Sequence, residues 1–532
     1  MTYPTVEAAI EAVRAHRTPN GSPKELEAAE AAAKLAPQRA DIWAMVAGAA
    51  TRLGDFDRAE QAQLQALEVA TDPLMKDRLA VDRAWALAGQ KRWAEAAELA
   101  RQDRPSIAND PISRNIIGAT LVTIGLGAEG VPHLEFAAKA LPDRPDIWFN
   151  LAVVYNSMNR VDDAEAALET ILRMAPGYLP AYEFLGELKK ATPEKNQLAR
   201  LNAVRSRVRP GPDAAFVDYA LFRQYDDLGR HDEAWASLMR ASEGKGSLYA
   251  WTVAQDEAAA EALKKVAAAI PARTGAKPGK PRPIFVISLP RVGSTLIERI
   301  FSAHPRVRSL GELETFPRAL KAVAGLEPLP FIDPRLAEAG PIDYAAVGER
   351  YRTEVAGLSD GAEVVTDKLP LNWWYAPMIA AALPDATILH AHREPMDALF
   401  GSLKISFSSA FPWTYQLDHL ADHYGVYRRL TEHWRQILGE RFVDVEYEAL
   451  VKDPEGQTRA MLAACGLDFN EACMKPEKAE GAVITPSANQ VREPITTGRI
   501  GAWRRYAKQL EPLRARLEAD GWVDKNGDGI AR

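Results

Sequence analysis

Pro283-Ile-Phe-Val-Ile-Ser-Leu-Pro-Arg-Val-Gly-Ser-Thr-Leu-Ile-Glu-Arg-Ile-Phe301 decides how the second half of this chain folds. The apolar run Ile284–Ile287 reads as a buried strand, Pro290-Arg291-Val292-Gly293-Ser294-Thr295 as a tight turn, and the rest as an amphipathic helix. That order gathers backbone N–H groups, two hydroxyls and an arginine at a helix N-terminus, where the dipole and free amides favour an anion. It is not a G-x-x-x-x-G-K-[ST] loop, because the lysine before the Ser/Thr is missing. The plain alternative is an ordinary strand–turn–helix joint, so the neighbouring strands decide.

Short apolar runs continue outward from this stretch. Val364–Thr366, Thr387–Leu389 and Phe442–Val445 read as further strands separated by helical segments. Strands alternating with helices imply a parallel sheet covered on both faces, with ligands at the carboxyl ends of the strands. All four strands end in residues capable of chemistry. The first delivers Arg291, Gly293, Ser294 and Thr295, and the second Asp367-Lys368-Leu369-Pro370. The third delivers His390-Ala-His392-Arg393-Glu-Pro395-Met-Asp397, and the fourth Glu446-Tyr447-Glu448. One polar strand end is commonplace; four on one sheet edge mark a site.

Residues 1–270 follow another grammar. They are alanine-rich and helical in pattern, and Trp148 and Tyr182, like Gly118, Ala152 and Gly186, fall on a 34-residue step. Trp148, Leu151-Ala152, Tyr155, Ala164 and Pro176 fit the pattern of tetratricopeptide repeats, with earlier units at Trp43, Ala59, Ala66 and Pro73. The aromatic residues read as helix packing, and such a solenoid offers a face for a protein or peptide partner. Residues 271–283, with four prolines and two glycines, read as a linker, leaving 284–532 as the second domain. At 532 residues two or three domains are expected. The net charge of -7 argues against a general nucleic-acid binder. Two cysteines, Cys465 and Cys473, build no disulfide framework or zinc site, and a reducing cytoplasm fits. The first ten residues lack a signal-peptide pattern, and no window is long and apolar enough for a membrane span.

The P-R-x-G-[ST]-T turn resembles the 5′-phosphosulfate loop of sulfotransferases that use 3′-phosphoadenosine 5′-phosphosulfate (PAPS). Residues from about 283 to 510 resemble such a domain throughout. With its repeats, the chain resembles bacterial tetratricopeptide-containing sulfotransferases and, by motif, the tyrosylprotein sulfotransferases. Arg393-Glu-Pro-Met-Asp397 resembles the 3′-phosphate segment, Asp367-Lys368 the catalytic-lysine segment, and Gly311-Glu312-Leu313-Glu314 the acidic segment after the first helix. Ser487-Ala-Asn-Gln-Val-Arg492 resembles the serine loop that closes over the nucleotide. Two departures stand out. Gly401 occupies the place of the family serine, with Ser402 one later, a shift of about 100° around a helix. Ala502 replaces a lysine before Trp503, leaving Arg499 or Arg504 as unassigned substitutes.

The resemblance implies a multidomain protein: an all-α repeat solenoid followed by a P-loop-like α/β sulfotransferase domain with a parallel sheet. It implies PAPS as co-substrate and no metal. Lys368 would meet charge on the leaving oxygen, Arg291 would bind the transferring group, and Glu312 would be the general base with Glu314 in reserve. Ser487 would donate to the sulfate or leaving oxygen. Gly293, Ser294, Thr295, Arg393, Ser402 and Tyr447 would hold the nucleotide, Arg393 and Ser402 at its 3′-phosphate. The acceptor stays open among protein tyrosine, saccharide and small alcohol. So do two other readings: a non-catalytic scaffold with a degenerate domain, and a nucleotide kinase. His390 and His392 read as structural. Asp524-Lys-Asn526-Gly-Asp528-Gly529 copies half a calcium loop and reads as a polar turn.

Overall fold

The computed structural model describes residues 3–18, 21–90, 92–327, 330–407, 410–479 and 494–530. Two compact units emerge, Met1–Thr170 and Ile171–Arg532.

The first unit is built from paired helices, among them Pro23–Leu35, Ala40–Arg52, Pro111–Thr123, Gly127–Ala140 and Pro145–Ser157. Three of these begin with proline in the first turn, where its missing N–H costs nothing. Ala28, Ala29, Ala32, Ala49 and Ala50 are fully buried, so small side chains set the helix spacing. A side chain at Gly118 would meet Leu134 Cγ at 2.7 Å, which explains a glycine inside a helix. Trp43 and Trp148 are half-buried, and each donates its indole N–H to a proline carbonyl six residues back, Pro37 (2.8 Å) and Pro142 (2.9 Å). They pack their repeats by clasping the inter-helix turn.

The second unit opens with helices of the same kind: Leu179–Leu188, Leu198–Arg205, Pro212–Asp227, His231–Gly246 and Val253–Ala268. Tyr182 repeats the clasp on Pro176 (3.0 Å). These helices share a unit with the sheet, and bonds run directly between them. Ser242 donates to the Tyr415 carbonyl (3.0 Å), and His423 Nδ1 meets Asp256 (2.6 Å). Residues 271–283 are tied down as well: Thr274 donates to the Ala381 carbonyl (2.9 Å) and the Gly279 N–H to Asp385 (3.1 Å).

Five parallel strands follow: β1 (Arg282–Ser288), β2 (Val307–Ser309), β3 (Val364–Asp367), β4 (Thr387–His392) and β5 (Phe442–Glu446), in the order β2-β3-β1-β4-β5. Ile284 to Ile287 have no exposed surface, as a strand covered on both faces requires. Each such side chain contributes roughly 1.5–3 kcal/mol of burial. Four strands coincide with the sequence expectation. The fifth, Val307-Arg308-Ser309, has too short an apolar pattern to be read in advance. The chain leaves β1 toward β2 and leaves β4 toward β5, in opposite directions. The crevice beyond the β1 and β4 ends is therefore the topological switch point where open α/β sheets bind ligands.

Among the described residues no helix is long and apolar enough to cross a membrane.

Candidate active site

The turn after β1 is held in an uncommon shape. Arg291 has φ of +66° and Gly293 +95°, both left-handed, and a non-glycine residue there costs roughly 1–2 kcal/mol. Glycine is required at 293 on a second count. A side chain there would meet the Tyr447 ring at 2.4 Å, so Tyr447 closes over the turn. Ser294 and Thr295 open the Ser294–Ser302 helix and are almost fully buried.

From the β4 end, Arg393 reaches this turn and donates to the Arg291 carbonyl (3.3 Å). Its guanidinium lies 4.6 Å from the Tyr447 ring centroid. Asp397 at 3.5 Å and Glu448 at 3.7 Å flank it, and it also donates to the Arg499 carbonyl. Arg393 Nε is buried without a hydrogen-bond acceptor among the described residues. Asp397 orders the segment beyond by accepting from the Gly501 (2.6 Å) and Trp503 (3.0 Å) amides. Arg499 is thereby at the site. Arg504 instead pairs with Asp528 in the C-terminal turn, where Asp524 accepts from the Asn526 (2.8 Å) and Asp528 (2.9 Å) amides.

Burial, and then the charges of Arg223, Arg393 and Arg499, push Arg291 down to about 10. Ser402 is buried, and its hydroxyl donates to the Ala398 carbonyl (2.9 Å), with the Pro290 carbonyl at 3.4 Å. Gly401 faces the turn: a Cβ built there would stand 3.1 Å from Arg291 Cβ. The serine shift thus has a local correlate, since position 401 is where the Pro395–Leu403 helix rests on Arg291.

On the other flank of β1, the chain after β2 extends the sheet. Leu310 N–H donates to the Thr366 carbonyl (3.0 Å), and Lys368 N–H to the Gly311 carbonyl (2.9 Å). This register sets Glu312 against Lys368, and the two side chains form an ion pair. Lys368 is 1% exposed, whereas the Glu312 side chain is 42% exposed. A second carboxylate, Glu298 on the helix after β1, lies 3.6 Å from Lys368 and accepts the Ser309 hydroxyl at 2.6 Å. Burial alone would lower the Lys368 pKa, but Glu312 and Glu298 outweigh it and hold the ammonium above the usual lysine range. Asp367 points away, bonded by Tyr351 (3.2 Å) and Asn372 (3.3 Å), and burial raises its pKa well above the carboxylate range.

The structure therefore gathers Arg291, Gly293, Ser294, Thr295, Arg393, Ser402 and Tyr447 around the β1 and β4 ends, and Glu312 with Lys368 at the β3 end. Glu314 is the residue before the Thr315–Val323 helix, with no side-chain cap bond to it. Ser487 lies outside the described residues. Glu298 went unnoticed in the sequence, and Glu448 was seen at the fourth strand end without a role. Glu298 shares a helix with Ser294 at a spacing of four, the one cue that it faces the same way. His390 bridges Asp444 (2.7 Å) and Tyr427 (2.6 Å) inside the fold, and burial pushes His392 down to about 4. Among the described residues no group of three or more His, Cys, Asp or Glu could hold a metal ion.

Comparison with known proteins bears on this geometry. Residues 283–471 match the sulfotransferase family model, and residues 40–73 and 126–188 match tetratricopeptide-repeat models. A protein of Aquifex aeolicus (strain VF5), described only as uncharacterized, is 24% identical over 398 residues, 73% of this chain. The match spans about half of that relative's length, 52%. Protein-tyrosine sulfotransferase 2 of Gallus gallus is 23% identical over 265 residues, 45% of this chain and 70% of its own. Among solved structures, the sulfotransferase domain from the Synechococcus PCC 7002 olefin synthase is 19% identical with a TM-score of 0.28, covering 45% of this chain and 97% of that domain.

Proposed function

Because the chain carries a sulfotransferase-family domain and tetratricopeptide repeats, we propose that it is an enzyme moving a sulfuryl group from PAPS to an acceptor hydroxyl. The observation that carries this reading is the Lys368–Glu312 pair, one strand away from a turn rich in guanidinium groups. Arg393, with Ser402 beside it, would hold the 3′-phosphate of the donor, while Arg291, Gly293, Ser294 and Thr295 would hold the phosphosulfate. Arg393 Nε, buried with no hydrogen-bond acceptor among the described residues and with Glu448 only at 3.7 Å, fits an anionic ligand.

In the reaction the acceptor oxygen bonds to sulfur as the bond from sulfur to the bridging oxygen breaks. The bridging oxygen leaves on adenosine 3′,5′-bisphosphate, and the acceptor proton passes to a carboxylate. Lys368, kept protonated by its two carboxylates, would offset the charge on the leaving oxygen. Glu312 would take the proton, since it is the exposed member of the cluster. Ser487 would donate to the sulfate or leaving oxygen. The acceptor to test first is a tyrosine on a protein, because the Gallus gallus relative bears that name and repeats of this kind commonly bind proteins.

Calorimetric titration with adenosine 3′,5′-bisphosphate and with ATP tests the donor. Tight binding of the bisphosphate alone is expected. Preference for ATP would make the domain a kinase, and binding of neither would make it a scaffold.

A further inference from the structure

The Pro212–Asp227 helix carries Tyr219, Arg223 and Asp226 four and then three residues apart, so all three lie on one face. Tyr219 donates to the Ile405 carbonyl (3.4 Å), and Asp226 accepts the Tyr506 hydroxyl (2.7 Å). Arg223 lies between them on that face, and Ile405, the partner of Tyr219, follows the 395–403 helix in which Gly401 rests on Arg291. The Leu179–Leu188 helix approaches the same place. Its Glu183 bonds Ser406, and Glu187, one turn on, pairs with Arg223 Nη2. Charges from both members of that pair reach Arg291.

The placement is unusual for an ion pair that only supports the fold. Arg223 is one of three arginines, with Arg393 and Arg499, whose like charge acts on Arg291, and such repulsion favours an added anion. Arg223 keeps 22% of its side chain exposed, and its Nε is buried without a hydrogen-bond acceptor among the described residues. Guanidinium groups match the oxygens of phosphate and sulfate.

We propose that Arg223 is a further anion-binding residue of the donor site, supplied by the repeat-like helices, and that Glu187 is the counter-charge it exchanges for the 5′ anionic group of the donor. This rests on the sulfotransferase reading above. The repeats then belong to the donor site itself, besides offering a partner surface.

The two members of the pair separate this role from a structural one, because they act with opposite signs. In calorimetry of the full chain with adenosine 3′,5′-bisphosphate, Arg223→Ala should weaken binding about tenfold and Arg223→Lys less. Glu187→Gln should tighten it several-fold, since it frees Arg223 for the ligand. A Glu187→Gln protein that binds no better than wild type overturns the proposal, whether or not Arg223→Ala folds. Equal weakening by both substitutions also overturns it, as loss of a structural pair. A wild-type protein that binds no bisphosphate overturns the donor reading and this proposal together, whereas normal wild-type binding with the wrong Glu187→Gln response overturns this one alone.

Discussion

Lys368 and Arg291 are cations at the ends of neighbouring strands, and their surroundings push them in opposite directions. Burial lowers both. Around Lys368 two carboxylates more than compensate, and the ammonium sits above its usual range. Around Arg291 three further guanidinium groups add to burial, and its pKa falls to about 10. The β3 end thus more than offsets its one cation with two carboxylates, and the β1–β4 end keeps a cation surplus, four guanidinium groups against Asp397, Glu448 and Glu187. A surplus is best relieved by an anion that is bound throughout the reaction. A balanced cation responds to charge that appears only in the transition state. One side of the edge should govern affinity and the other rate.

Lys368→Ala gives the sharpest test of that division and the largest effect. It should lower kcat at least about a hundredfold, roughly 3 kcal/mol of barrier, with little change in donor affinity. Glu312→Gln should do likewise and remove the acidic limb of the pH–rate profile. Glu298→Gln should act through Lys368. It removes one of two groups that raise the lysine's pKa, so the alkaline limb should move to lower pH. Affinity losses as large as the rate losses would erase the contrast between the two ends, and a dead Glu314→Gln beside a near-normal Glu312→Gln would move the base.

A smaller effect belongs to the other side. Arg393→Ala should cost about 2 kcal/mol of adenosine 3′,5′-bisphosphate binding, and much less for the nucleotide lacking the 3′-phosphate. Equal losses for both in calorimetry would take Arg393 out of the 3′-phosphate site.

The smallest effect should follow removal of residues 1–170, which form a compact unit of their own. The remaining 171–532 should stay folded and bind the bisphosphate as the full chain does. Removal of 1–270 should instead strip Ile405, Tyr415, His423 and Tyr506 of partners on the 212–268 helices, and lower solubility. Equal behaviour of the two truncations, in solubility and in calorimetry, would return the helices from 179 to 268 to a purely accessory role.

Much of this was legible because strand ends in a parallel sheet must share an edge. Ile284–Ile287 declared a buried strand by composition alone, and Arg291, Lys368 and Arg393 then had to meet near one line. Residues acting from helices were not legible. Glu298 looks like any charged residue of an amphipathic helix, and only the fold brings it to Lys368. Arg223 precedes Arg291 by 68 positions and sits within repeat grammar, where charged residues are expected on solvated faces. Composition marked 271–283 as a linker, but Pro and Gly content reports local backbone preference and says nothing of bonds such as Thr274 to Ala381. The short β2 strand escaped for want of pattern.

In evolutionary terms, positions 401 and 291 form a single locus. Any side chain at 401 presses on Arg291 Cβ at 3.1 Å, and Arg291 is already held at a left-handed φ of +66°. A serine at 401 would need Arg291 or the helix to give by a few tenths of an ångström. The hydroxyl one residue later, at Ser402, is buried and bonded to the Ala398 carbonyl without that contact. Lineages with this turn geometry should keep glycine at 401, and the two positions should change together or not at all.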